Sequence, residues 1–332
     1  MHFDRLKRRD FITFVGVTAV WPLATHAQQG ERVRRVAIVM GSAETALDQT
    51  NLTAFVSRLS ELGWKIGRTL HTDVRWWTGT PEQMRGAIAD MLKSPPDVFV
   101  AWTNLALATL QPMVVDLPVV FVGIGDPVGS GFVASLAHPG TNMTGFGSYD
   151  EPMGGKWLEM LKETAPHITH VMALLHPETP SHQGFWRSIE LAAPRFAVEV
   201  TPGRVHDASE IERAVSSFGE KTNGGLIVLP HALTVANRDL IIALTLRYRL
   251  PSVTGAAGFV NASSLLYYGI DFQDSFRHTA EYVDRILRGE KPADLPVQQP
   301  TKFKLTLNLR TARVIGLHIP PIILARADEV IE

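Results

Sequence analysis

The sequence predicts an α/β protein with parallel, doubly wound sheets arranged as two lobes. β-Branched runs alternate with stretches of helical apolar spacing along nearly the whole chain. The length of 332 residues fits two domains rather than one. The alternation breaks at residues 123–147, where seven glycines and two prolines exclude a long helix. That stretch is too apolar for a disordered linker, so it reads as a crossover between lobes with a short strand at 143–146.

The first series is βαβαβαβ. A β-branched run at 33–40 ends at Gly41-Ser42, and a helix over 50–62 spaces Leu52, Phe55, Val56, Leu59 and Leu62 before stopping at Gly63. Residues 70–77 are extended. Pro81 and Glu82 open a helix to residue 92, as suits a first helical turn. A buried strand at 97–102, a helix at 104–114 and a strand at 118–122 complete the series.

The second series has helices over 152–164, 183–193, 208–218 and 236–248, alternating with strands over 170–175, 198–205, 225–229 and 251–254. A strand at 265–269, a long helix at 275–288 stopped by Gly289, a proline-rich stretch at 291–300, a strand at 303–309 and two short apolar helices finish the chain. In open α/β sheets ligands sit outside the carboxyl ends of the strands, so two such lobes facing each other form a cleft that closes about a hinge.

Composition narrows the function. Lys and Arg total 32 against 33 Asp and Glu, a net charge of −1, which argues against a nucleic-acid partner. There is no cysteine, which excludes disulfides, thiolate metal sites and cysteine nucleophiles. The first 27 residues read as an export signal. Arg5, Lys7, Arg8 and Arg9 precede an apolar run at 11–24, and Thr25-His26-Ala27 offers a cleavage site near Ala27. Arg8-Arg9-Asp10-Phe11-Ile12 resembles a twin-arginine signal, without the usual flanking Ser/Thr, so ordinary Sec export stays open. The expected location is periplasmic.

One block is more specific. Gly125-Asp126-Pro127-Val128-Gly129-Ser130-Gly131-Phe132-Val133 is followed by Leu136-Ala137-His138-Pro139-Gly140-Thr141-Asn142-Met143-Thr144-Gly145. Two later blocks accompany it: 282–303, with Lys291-Pro292-Ala293-Asp294-Leu295-Pro296, and the ending from Ile319-Pro320-Pro321 to Asp328-Glu329. Together they resemble the exported substrate-binding proteins of ABC transporters, in the group that takes up tryptophan and tyrosine. The resemblance spans residues 31–332 and implies a type I periplasmic-binding-protein fold of two Rossmann-like lobes joined by three hinge strands. Residues 31–147 with about 262–290 would form the first lobe, and 148–261 with about 291–332 the second. It further implies a monomer that traps a small solute and delivers it to a membrane permease with its ATPase subunit, without catalysis or cofactor. The alternative is a periplasmic ligand-sensing receptor for a membrane signalling protein.

Candidate ligand contacts sit at strand ends. Ser42 follows the first strand, and Trp102, Thr103 and Asn104 the third. Thr103 or Asn104 can cap the next helix and leave backbone N–H groups for an anion. Gly125 and Asp126 end the fourth strand. Asp126 can pair with a ligand ammonium or hold its own turn. Ser148 and Tyr149 lie at the first hinge. His231 follows one second-lobe strand and His176 ends another; a neutral imidazole at either can bond a polar ligand, and a shift of its pKa would make binding sensitive to pH. Tyr268 and Asp271 lie at the last return to the first lobe, where Asp271 can alternatively cap a helix. Trp102, Tyr149, Tyr268 and Phe259 are candidate aromatic walls, suiting an amino-acid-like solute or an aromatic acid.

Enzyme readings find little. Gly123, Gly125 and Gly129 miss the dinucleotide spacing, and the stretch does not run from strand directly into helix. Neither a G-x-S-x-G elbow nor a phosphate-binding loop nor H-E-x-x-H is present. His167, His170, His176 and His182 are close in sequence, but the turn and strand between them would scatter the rings, so no metal is expected.

Overall fold

A computed structural model describes residues 32–77, 79–259 and 263–332. The export signal expected over residues 1–27 lies outside the described residues. The chain forms two sheets with helices on both faces.

The first sheet holds β1 (Arg34–Met40), β2 (Leu70–Trp76), β3 (Val98–Trp102), β4 (Val119–Ile124) and β5 (Met143–Gly147), in the order β2-β1-β3-β4-β5, all parallel. Its helices are α1 (Ala46–Glu61), α2 (Pro81–Leu92) and α3 (Asn104–Leu110). Alternation of side chains along β1 explains the two-faced core. Val36, Ile38 and Met40 join Phe55 and Leu59 of α1, whereas Ala37 and Val39 join Met84, Ile88 and Leu107 of α2 and α3.

The second sheet is larger. β6 (His170–Leu175), β7 (Glu199–Arg204), β8 (Gly224–Val228), β9 (Ser252–Thr254), β10 (Leu266–Ile270), β11 (Phe303–Asn308) and β12 (Glu329–Ile331) stand in the order β12-β11-β10-β9-β8-β6-β7. Among the described residues only β10 and β11 pair antiparallel. Val171, Ala173 and Leu175 of β6 face α4 (Met153–Thr164) and α5 (Pro180–Ala192). Met172 and Leu174 face α6 (Ala208–Gly219) and α8 (Arg238–Arg247).

Four readings of the sequence are changed. The glycine-rich stretch 123–147, expected as a crossover between lobes, stays within the first sheet and joins β4 to β5, because the two strands pair in parallel. The helix expected over 236–248 is two helices, α7 (Ala232–Ala236) and α8, divided at Asn237, whose φ of −107° and ψ of 21° are not helical. It starts early because His231 caps it, its imidazole accepting the Leu233 N–H. Strand β12 was not expected, since three residues carry no readable periodicity; pairing with β11 defines it. The segment 262–290, expected within the first lobe, divides instead. β10 belongs to the second sheet, and α9 (Phe272–Leu287) returns to the first, where Phe276, Ala280 and Val283 pack on the α1 face. Helices α10 (Leu309–Ile315) and α11 (Pro321–Arg326) close the second unit.

All three crossovers between the units leave from the carboxyl edges of the parallel strands. The first follows β5 into α4, the second follows β10 into α9. The third runs from Gln298, which bridges to Phe146 on the open edge of the first sheet, into β11, whose first residue pairs with the last of β10. The two carboxyl rims are therefore joined to each other.

Candidate functional site

Adjacent strands β1, β3 and β4 bring Ser42, Trp102, Thr103, Asn104, Gly125 and Asp126 to the rim of the first sheet. The Gly41 N–H bonds the Trp102 carbonyl at 3.0 Å, which draws the ends of β1 and β3 together. Asn104 holds Gly125 by both its amide atoms, donating to the carbonyl and accepting from the N–H at 3.0 Å each. Asp126 accepts the Gly129 N–H at 2.8 Å and so organises its own glycine-rich turn. Trp102 lies edge-on to Phe272, with ring centres 4.8 Å apart, and covers Gly123, where any Cβ would strike the indole. Thr103 and Asp126 are non-glycine residues at φ of 83° and 44°. Each such conformation costs about 1–3 kcal/mol and tends to persist at functional sites.

The same rim carries a carboxylate absent from the sequence-derived candidates. Asp48 is buried in the first turn of α1 and accepts from the Thr45 hydroxyl at 2.8 Å and the Ser42 hydroxyl at 3.4 Å. Burial pushes its carboxyl above the ordinary range, against the opposing pull of these two hydroxyls. One turn on, Asn51 is buried, and its Oδ1 has no partner among the described residues. The signal was present in the sequence, since Asp48 and Asn51 continue the buried stripe of Phe55 and Leu59 toward the helix start.

Tyr149, Tyr268 and Asp271 lie at the crossovers. The Tyr149 hydroxyl donates to the Gly255 carbonyl at 2.6 Å and accepts the Ile270 N–H at 3.0 Å, tying the first crossover to the second. Burial raises its pKa far above that of a free phenol, so it remains a neutral donor. Tyr149→Phe leaves a buried N–H and carbonyl unpaired; we expect a loss of about 1–3 kcal/mol in urea unfolding. Tyr268 stacks on Phe303 at 5.9 Å. Asp271 caps α9 through the Asp274 N–H and pairs with Lys302 at 3.1 Å. Phe259, a candidate wall, is buried in the second core instead. Ser148 lines a separate 590 Å³ groove between α4 and α5, with Lys156, Glu159, Arg195 and Phe303. The charges of Lys156 and Glu159 pair there at 2.9 Å.

The second rim is a histidine cluster. His176 follows β6, His206 follows β7, and His231 follows β8, three strands adjacent in the sheet. The rings of His176 and His231 stack at 4.6 Å, and His206 approaches His176 at 5.6 Å. The turn and strand among His167, His170, His176 and His182 were expected to scatter their rings; His176 and His182 nevertheless meet, and the neighbouring strand ends add His206 and His231. His182 of α5 lies beneath, fully buried, accepting the His176 N–H at Nδ1 and facing the Pro230 carbonyl through Nε2. Among the described residues no group of three or more His, Cys, Asp or Glu is arranged to hold a metal ion.

Burial pushes the His182 pKa down to about 4. The unfolded chain therefore binds a proton first. The resulting stabilisation is complete above the ordinary histidine pKa of about 6.5 and is lost as pH falls toward 4. We expect up to about 3 kcal/mol of stability to disappear over that interval. Thermal unfolding at stepped pH checks this, with His182→Gln flattening the dependence.

Comparison with known proteins follows the same outline. The pattern of the family described as ABC transporter substrate binding protein matches residues 35–331. A tyrosine-binding protein of Clostridioides difficile (strain R20291) is 21% identical over 263 residues, covering 79% of this chain and 75% of that protein. The crystal structure of a conserved domain protein from Vibrio cholerae superposes with a TM-score of 0.78 at 22% identity, covering 90% of this chain and all (100%) of that one. A streptococcal ABC domain in complex with L-Trp (Streptococcus pneumonia) gives the same TM-score and identity over 90% of this chain and 99% of its own. At these identities the solved structures establish the likeness of fold.

Proposed function

The chain belongs to the ABC transporter substrate binding protein family, and from that premise we propose that it captures an amino-acid-like solute, with an aromatic amino acid the first choice. The observation that carries the proposal is the joining of the two carboxyl rims by all three crossovers. Ligands in open α/β sheets sit at those rims, so a solute between them bridges both units and favours closure by its differential affinity for the closed state.

The first rim supplies Asp48, flanked by Ser42 and Thr45, as an acceptor for the solute ammonium. Trp102 offers an aromatic edge, and Thr103 with Asn104 opens α3. Tyr149, Tyr268 and Asp271 set the crossovers, and Asp126 shapes the turn behind Gly125. The second rim offers His231. The tyrosine-binding relative and the L-Trp complex support the choice of an aromatic amino acid. In this reading the protein is exported to the periplasm, acts as a monomer, passes its solute to a permease and ATPase, and turns nothing over. No helix of the described residues is long and apolar enough to cross a membrane.

The test is a thermal-shift and calorimetric screen of residues 28–332 against L-tyrosine, L-tryptophan and the other amino acids. Ligand at a hundredfold excess over Kd adds about 2.7 kcal/mol to stability. A saturable shift with an unaltered ligand supports the reading. A screen without any shift, or one in which the ligand is consumed, removes it.

A further inference from the structure

The hydrogen bonds of the histidine cluster fix where its protons sit. His182 accepts the His176 N–H at Nδ1, at 2.9 Å, so its proton is on Nε2, facing the Pro230 carbonyl at 3.2 Å. It is the neutral floor of the cluster. His231 accepts the Leu233 N–H at Nδ1, at 3.1 Å, so its proton is also on Nε2. Protonating its Nδ1 would set donor against donor and remove the cap of α7, so His231 is held neutral with an outward donor. Burial and the neighbouring His176 push its pKa the same way.

His206 is the opposite case. Nδ1 meets Glu210 at 2.9 Å and Nε2 meets Glu178 at 3.1 Å, so both ring nitrogens serve as donors and the pKa is raised. Glu178 is shared. Its other oxygen lies 3.2 Å from His176 Nδ1, with the Thr179 hydroxyl at 3.4 Å. That carboxylate favours a proton on His176 Nδ1 and leaves Nε2 as the atom able to accept another. Neither His176 Nε2 nor His231 Nε2 has a protein partner among the described residues. The titratable groups facing the His176–His231 pair are thus Glu178 beside α5, His182 of α5 and His206, whose ring lies 5.6 Å from His176, with Glu210 of α6 beyond it.

We propose that this pair binds the carboxylate of the solute, His231 as a fixed Nε2–H donor and His176 by taking a proton from solvent onto Nε2 as the anion arrives. Capture of the anionic solute is then linked to uptake of one proton. A carboxylate arriving at the stacked pair, whose rings lie 4.6 Å apart, favours the charged form of the imidazole whose Nε2 is free to accept a proton. Because a neutral His231 contributes only its N–H, the charge selectivity resides in His176. The proposal rests on the solute-binding reading given above and names which end of the solute the second rim reads.

The test is calorimetry of residues 28–332 with L-tyrosine and L-tryptophan between pH 5.5 and 7.0, in paired buffers of different ionisation enthalpy. Tyramine and tryptamine serve as carboxylate-free probes. Over this range the probe carboxylate stays ionised, and His182, with a pKa of about 4, stays neutral. The expected result is tighter amino-acid binding at low pH, approaching a tenfold change in Kd per pH unit, with up to one proton taken up per ligand. The amines should bind more weakly and without proton uptake. His176→Gln should abolish the uptake, and Glu178→Gln should displace the pH dependence to lower pH, a shift that a purely structural role would not produce. Amino-acid binding that ignores pH and is matched by the amines overturns the proposal while leaving the solute-binding reading intact. Absence of binding by both amino acids at every pH overturns the two together.

Discussion

Replacing Trp157 by alanine should cost the second unit about 3–5 kcal/mol of stability. The indole is fully buried in α4 and stands edge-on to Tyr149 at 5.3 Å and Phe185 at 5.2 Å. Its Nε1–H donates to the Tyr268 carbonyl at 2.7 Å, so the residue bonds α4 to β10 as well as filling space. Gly255 packs against its six-membered ring, where any side chain would collide with it. Truncating a buried tryptophan of this kind costs about 3–5 kcal/mol. Trp157→Phe keeps most of the packing and forfeits the hydrogen bond, so about 1–2 kcal/mol is expected. Urea unfolding of both variants separates the two contributions. Equal losses would mean that the hydrogen bond, not the volume, dominates.

Gly145→Ala should be comparably severe in the first unit. Gly145 adopts a φ of 149° within β5, and a Cβ built there runs into the backbone carbonyl of Phe121 on β4. That backbone region is nearly closed to other residues. The collision is with main chain rather than a flexible side chain, so the edge strand has to move. Strain and overpacking together are expected to cost about 3 kcal/mol or more. The Gly145 carbonyl also accepts the Gln298 N–H at 3.0 Å. Displacement of β5 therefore loosens the third crossover, which hydrogen exchange at Gln298 would register as faster exchange than in the parent protein. Unchanged exchange there, with unchanged stability, would show that β5 accommodates the methyl group.

Much of the fold was readable because local rules and tertiary packing agree. The helix Pro81–Leu92 and the strand His170–Leu175 have the expected bounds. The first opens on proline and carries buried Met84, Ile88 and Met91 at helical spacing; the second is a short apolar run covered by helices on both sides. Helix α7 was missed because an imidazole provides its cap, and β12 because its existence depends on β11.

The sequence by itself determined the alternating elements, the short strand inside the glycine-rich stretch and the likeness to one family, because periodicity, turn chemistry and ordered motifs are local properties of the chain. Only the tertiary structure decided what the strand-end residues do. A hydrogen bond commits Asp126 to its turn, Asp271 to its helix cap and Tyr149 to the crossover knot. Likewise His176, His206 and His231 are distant in sequence, yet they meet because β6, β7 and β8 stand side by side. Strand order is fixed by long-range pairing and burial, which no spacing along the chain encodes.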